Sequence, residues 1–351
     1  MSDEKRYYPL VELTVSRAKE FVREPEALFW VFFFPVLLAV ALGLAFREKG
    51  PDKIPVGIVA ASPSDAVAAD TAKALEGSPV LLPRQYPAAT GREALRTGRI
   101  SLLVEPGPPV VFRFDETRPD SRIARLEAGE ALQRAAGRKD VVAVRTEKVT
   151  EKGARYIDFL VPGLLGMNLM GSGIWSLAFS VTIARTRKVL KRLVATPMRK
   201  SHYLLAQILG RLGFLIPEIA ILVGSGWLFF GVAVHGSLLL LLLTCLLGTM
   251  SFCGLGLLIA SRVSTIEGAS GLANLVMLPM WLLSGVFFSS ERFPDAVQPF
   301  INALPLTALN QALRGIITEG RGLTAIAPQL AIVAAWGLVS FAVALKIFRW
   351  R

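Results

Sequence analysis

Six stretches of this chain run for about twenty residues with little or no charge: 27–46, 158–183, 204–230, 237–260, 268–288 and 326–347. About twenty residues at a rise of 1.5 Å cross the ~30 Å hydrocarbon core of a bilayer. Lipid offers no partner to a free N–H or C=O, so each stretch is expected to be helical. The chain therefore reads as an α-helical membrane protein with six transmembrane helices. Residues 1–26, ahead of the first span, carry Val11, Val15, Ala18 and Val22 at helical spacing, which predicts an amphipathic helix lying at a membrane interface.

Between the first two spans the pattern changes period. "KIPVGIVA" (53–60), "SPVLLP" (78–83), "PPVVFRFDE" (108–116) and "DVVAVRTEKV" (140–149) read as strands, and "GREALRTGRISLLVEPG" (91–107) as a helix followed by a strand. "SDAVAADTAKALEG" (64–77) reads as a helix ending at glycine. "SRIARLEAGEALQRAAG" (121–137) reads as an amphipathic helix whose apolar face is Ile123, Leu126 and Leu132. Alternation of this kind predicts an inserted α/β domain over 47–157, large enough for its own core. The segment 289–325 has three prolines in "FPDAVQPFINALP" and moderate apolarity, which suits short re-entrant or interfacial helices.

Charge orients the spans. Lys and Arg collect in the N-terminal segment, in the 184–203 loop and in the tail 348–351 with Lys346 just before it, whereas the 231–236 link has none. The rule that cations stay on the cytoplasmic side places both termini and the 184–203 loop inside. It places the α/β domain and the 289–325 segment outside. The domain's 19 cations from Arg47 to Arg155 face 15 acids and do not contradict this, since long domains translocate largely regardless of charge. The net charge of +12 is thus a topology signal and gives no ground for a nucleic-acid partner. No small-residue cleavage pattern follows the first span at Phe46-Arg47-Glu48, so it reads as a retained span rather than a signal peptide. Cys245 and Cys253 are eight residues apart within one apolar run and read as packing residues.

Candidate chemistry is sparse. No G-x-x-x-x-G-K-[ST] occurs, so the chain carries no P-loop. Two histidines, His202 and His235, offer no metal-ligand pattern. Gly171-Ser-Gly173 and Gly254-Leu-Gly256 suit close helix packing. "GASG" (268–271) imitates an intramembrane serine protease, yet Ser270 would need a histidine within hydrogen-bond reach. Charge inside a span is costly and is a better pointer. Glu218 is expected mid-span, facing protein or water, and Arg211 one heptad earlier is expected to share its face and to snorkel to the inner end. Asn168 and Asn274 suit helix–helix hydrogen bonds or substrate contact, and Met167 and Met277 sit beside them in spans two and five.

"FLVPGLLGM" (159–167), "LKRLVATPM" (190–198), "LSGVFFSSERFP" (283–294) and "LPLTALNQALRGI" (304–316) resemble the membrane subunits of the ABC-2 family of ATP-binding-cassette exporters. "IPVGIV" (54–59) is similar to the outer domain of the multidrug-permease branch. The acidic-glycine pattern usual in the cytoplasmic loop is replaced here by the basic "RTRKVLKRL". The resemblance implies that residues 1–26 form the family's elbow helix. It also implies a coupling helix at 186–197, with Arg187, Lys188, Leu190, Lys191, Arg192, Leu193, Val194, Thr196 and Pro197 docked on a separate ATPase subunit. It implies a dimer of two six-span chains, identical or paralogous, enclosing a path lined by spans two and five, with Asn168, Met167, Glu218, Asn274 and Met277 along it. The implied activity is export of an amphiphilic drug-like or lipid-like molecule across a bacterial inner membrane. This chain would bind no cofactor, ATP and Mg being held by the partner. The rival readings are a secondary transporter, a non-transporting membrane anchor or sensor, and an intramembrane protease.

Overall fold

A computed structural model describes residues 9–46, 53–62, 64–138, 155–195 and 200–348. The chain divides into two compact units, 48–149 and the remainder. Among the described residues six helical stretches are long and apolar enough to cross a membrane.

The chain opens with α1 (Pro9–Val22), an amphipathic helix that ends just before Pro25. The first span is built from α2 (Pro25–Leu28), one π-helical turn (Phe29–Phe33) and α3 (Phe34–Ala45).

The inserted unit is a four-stranded sheet in the order β2-β1-β3-β4. Its elements run β1 (Ile54–Val59), α4 (Ala66–Glu76), β2 (Leu81–Tyr86), α5 (Ala88–Arg96), β3 (Leu102–Glu105), β4 (Val111–Phe114) and α6 (Pro119–Ala135). β1 pairs parallel with β2 and with β3, and β3 pairs antiparallel with β4. One face of the sheet, with Val56, Ile58, Leu102 and Val104, packs under α4 and α6. On the other, Leu103 packs with Ala94 of α5 and Ile100. Gly57 is on that second face, where a Cβ would lie 2.5 Å from Ile100 Cδ1, so a larger residue would require the Ile100 side chain to shift. Asp65 caps α4 by accepting from Val67 and Ala68 N–H, the usual role of Asp at this position.

Two expectations for this unit need correction. The second strand begins at Leu81 and extends to Tyr86, later than the 78–83 run. The buried face of α6 is Ser121, Ala124 and Ala128, while Ile123 and Leu126 are exposed. Small residues let α6 lie close to the sheet, and closeness outweighs side-chain size in choosing the packed face. The expected strand 140–149 lies outside the described residues.

The membrane unit resumes with α7 (Tyr156–Thr186), α8 (Val189–Val194), α9 (Lys200–Leu212), α10 (Leu215–Phe230), α11 (Leu238–Ala260) and α12 (Ile266–Leu283). Two 3₁₀ turns lead into α13 (Gln298–Ala303), α14 (Pro305–Ile317) and α15 (Leu323–Ile347). α7 is the hub: 78% of its most apolar window is buried, against 17–56% in the other spans. Close approach to α11 depends on glycine, since a Cβ on Gly256 would sit 2.6 Å from the Ile174 carbonyl oxygen.

Span three is interrupted, correcting the expectation of one continuous helix over 204–230. α9 ends at Leu212 and α10 starts at Leu215, with Gly213 and Phe214 between them. The fifth span ends at Leu283 rather than 288, and the sixth starts at Leu323. Of the two forms expected for 289–325, α14 does not lie along a surface: eleven of its thirteen residues are buried against α7, α11 and α15, which suits a re-entrant helix. Arg314 fixes it there, stacking 3.5 Å from the Phe159 ring centroid and donating to the Gly285 carbonyl.

Candidate functional site

A cavity of about 1370 Å³ opens in the membrane unit. α1, the first span, α7, α9 and α12 wall it. Trp30, Trp175, Trp281, Phe34 and Phe179 give it broad apolar surfaces. Arg17, Glu20, Glu24 and Arg187 add charge, and Arg17 is paired with Glu20 at 2.8 Å. The Trp281 indole Nε1–H is buried and has no hydrogen-bond partner among the described residues, an uncommon state for a buried donor.

Of the residues the sequence offered for a substrate path, Met167, Asn168 and Met277 line this cavity. Asn168 is tied to span one, donating from Nδ2 to the Val31 carbonyl at 2.9 Å. Val31 belongs to the π-helical turn, a feature that often marks functional sites. Asn274 is half-buried on α12 and does not line the cavity. Glu218 does not line it either, being 1% exposed behind Arg211.

Arg211 is 4% exposed and ion-paired to Glu218 through Nη2, so it does not snorkel. Arg211 and Glu218, seven residues apart and so about two helical turns on, meet across the break at Gly213-Phe214. Ser172 of α7 joins the pair: it accepts from Arg211, and its hydroxyl lies 3.1 Å from Glu218 Oε1 and 2.7 Å from the Asn168 carbonyl. The side chains of Arg211 and Ser172 stand on the cavity wall and the carboxylate stands behind them. No sequence signal named Ser172, because its role depends on which face of α7 meets α9.

The cationic loop after span two is organised around α8. Leu190 is 1% exposed and packs with Leu177, Val181, Tyr203 and Leu257 of the chain itself. It is therefore part of this chain's own core. Leu193 is half-buried at the edge of the same cluster. Lys188, in the left-handed conformation at φ 58°, turns the chain from α7 into α8. Arg187, Lys188, Lys191 and Arg192 are exposed. The described helix is Val189–Val194, shorter than the 186–197 expected. Thr196 and Pro197 lie outside the described residues. Arg185, the first cation of the run, is engaged: it donates to the carbonyls of Ala260, Ser261 and Val263 at the end of α11. A cation at a helix C-terminus is favourably placed against the helix dipole.

Ser270 lines the cavity, but neither His202 nor His235 does, and His235 Nδ1 is engaged with the Ile317 carbonyl at 3.0 Å. Among the described residues no group of three His, Cys, Asp or Glu comes together in a way that could hold a metal.

Six apolar spans, a wide amphipathic cavity among them and a short cationic helix at one end together define a membrane transport subunit. The chain belongs to the ABC-2 family of transporter proteins, whose model matches residues 25–346. It is 29% identical over 172 residues to ABC transporter G family member 20 of Dictyostelium discoideum, covering 48% of this chain and 23% of that one. It is 27% identical over 162 residues to the inner membrane transport permease YadH of Escherichia coli, covering 46% and 63%. It is 25% identical over 178 residues to the linearmycin resistance permease protein LnrN of Bacillus subtilis, covering 51% and 42%. Each match spans less than two thirds of the relative's own length. Members of this family are transmembrane transport subunits that normally work with an ATPase subunit.

Proposed function

We propose that this chain is the membrane-spanning subunit of an ATP-binding-cassette exporter of a bacterial inner membrane, moving an amphiphilic drug-like or lipid-like molecule outward. The observation that carries this reading is the cavity of about 1370 Å³, walled by tryptophan and phenylalanine and edged by Arg17, Glu20 and Arg211. Such a wall suits a ligand with a large apolar body and one polar end, because apolar area gives affinity and a few placed polar groups give orientation. Trp281 Nε1–H, buried and without a partner among the described residues, is positioned to donate to an acceptor on such a ligand.

ATP and Mg act on a separate ATPase subunit, which docks on α8 through the exposed Lys191 and Arg192 and the outer side of Leu193. Leu190 ties α8 to α7, α9 and α11, so a push on α8 reaches the cavity wall without being absorbed by a loose loop. A second copy or a paralogue completes the path. Both termini and α8 face the cytoplasm, and the α/β unit stands outside. A secondary transporter would need a carboxylate able to exchange its ion, whereas Glu218 is held by Arg211 and Ser172.

Inside-out vesicles containing the chain with its ATPase should take up an amphiphilic dye only with ATP. Trp281→Ala should weaken apparent affinity about tenfold, the effect of losing one well-buried aromatic contact of roughly 1.5 kcal/mol. Met277→Trp, which fills the cavity, should block uptake while assembly persists. ATP-independent uptake, or uptake indifferent to both substitutions, would overturn the reading.

A further inference from the structure

A second groove, of about 470 Å³, adjoins the central cavity and shares Arg23 with it. It is formed by Val15, Ala18, Lys19, Val22 and Arg23 at the end of α1, together with Gly213 and Phe214 at the break in span three. Its floor is apolar. Val15 and Val22 remain exposed although they are aliphatic, and Lys19 and Arg23 stand beside them, each exposed and without an ion pair among the described residues. α1 is fixed on the break by the Phe21 ring, whose centroid is 4.3 Å from that of Phe214.

Two features suit a groove at the level where hydrocarbon meets headgroups. The first span starts at Pro25, two residues after Arg23. α10 starts at Leu215, directly after Phe214. Its sixteen residues include one charge, Glu218, and reach about 24 Å at 1.5 Å per residue. α9, on the other side of the break, carries Lys200, His202 and Arg211. The break thus separates the less apolar α9 from the strongly apolar α10 within the span His202–Phe230. An aliphatic groove at that level with two unpaired cations at its rim matches one kind of molecule: an acyl chain attached to an anionic headgroup.

We propose that this groove is a binding site for one anionic phospholipid. An acyl chain lies along Val15, Ala18, Val22 and Phe214, and the phosphate lies between Lys19 and Arg23. The lipid would seal the seam between α1 and the break and make the membrane unit sensitive to the anionic content of the bilayer.

The test uses the full chain purified into nanodiscs of phosphatidylcholine with a minor share of phosphatidylglycerol, followed by mass spectrometry of the lipid that stays bound after delipidation. The wild-type protein should retain phosphatidylglycerol above its bulk share. Lys19→Gln and Arg23→Gln should each reduce that enrichment about fivefold, the factor given by an attraction of about 1 kcal/mol per cation. Ala18→Phe, which fills the groove while keeping both cations, should abolish retention. Arg262→Gln, removing an exposed cation elsewhere, should leave it unchanged. If Lys19→Gln/Arg23→Gln retains as much as wild type, or if Arg262→Gln loses as much, the site is not there. Retention surviving Ala18→Phe would overturn the acyl-chain seat. Competition by millimolar inorganic phosphate would show a soluble-anion site and overturn the lipid assignment. A variant that does not fold is replaced by Lys19→Arg, which keeps the charge and should keep the enrichment; its loss would count against the site.

Discussion

Replacing Glu218 by Leu tests how the interior of the membrane unit is held together. Glu218 is 1% exposed and Arg211 4%. Arg211 Nη2 serves both Glu218 and Ser172, while Nε and Nη1 are buried without partners among the described residues. Glu218→Leu would therefore leave a buried guanidinium with Ser172 as its one remaining partner. Removing one member of a buried pair costs about 3–5 kcal/mol, because the other charge stays desolvated and uncompensated. Replacing both with apolar residues of similar volume removes the penalty and is often neutral. The double variant Arg211→Met/Glu218→Leu should thus be more stable than Glu218→Leu alone. The cycle should show a coupling of about 3 kcal/mol, far above the near-additivity of independent sites. Reversible unfolding of the purified full chain in mixed micelles, followed for wild type, both single variants and the double, measures it. Additive effects, or a Glu218→Leu variant as stable as wild type, would mean that the pair does not hold α9 and α10 to α7.

Other expectations are as direct. Leu190→Asp should destabilise the fold, as a carboxylate buried without a partner is costly. Lys191→Glu/Arg192→Glu should instead preserve stability and weaken co-purification with the ATPase; equal behaviour of the two variants would refute the division of roles on α8. Cysteines at Glu116 and Lys191, both exposed, should label from opposite sides of the membrane, with native Cys245 and Cys253 silent because they are buried. Labelling of both from one side would overturn the topology. A fragment of residues 50–154 should fold to a mixed α/β spectrum with acid-sensitive stability. Asp65, hydrogen-bonded to Ala61, Ala68 and Val67 N–H, is held below the usual aspartate range. Glu105 is likewise held low by Arg113. Carboxyls depressed in the folded state contribute fully above their ordinary values near pH 4, and that contribution is lost as pH falls through the depressed values. Melting should therefore be level from pH 7 to about 5 and fall below about 4. Asp65→Asn, which keeps a capping acceptor, should fall less steeply, and an identical acid slope would remove Asp65 from the explanation.

Much of this protein was determined by the sequence alone. Twenty apolar residues in a row cross a bilayer whatever their neighbours are, so the spans were readable from local composition. The change to strand–helix alternation after Phe46 was readable for the same reason, and so was the charged pair one heptad apart at Arg211 and Glu218. What the tertiary structure decided was which faces meet. Ile123 and Leu126 looked like the packed side of α6, but Ser121, Ala124 and Ala128 take it, since a small residue allows closer contact with the sheet. Leu190 looked available to a partner, but it fills a core shared with Tyr203 and Leu257. α14 could have been interfacial or re-entrant by its sequence, and it is the packing against α7, α11 and α15 that buries it. Ser172 joins Arg211 and Glu218, and Asn168 reaches Val31, only because α7 sits between span one and span three. Composition records the solvent each segment prefers; the partner of a side chain depends on distances between segments far apart in the chain, and no local pattern encodes those.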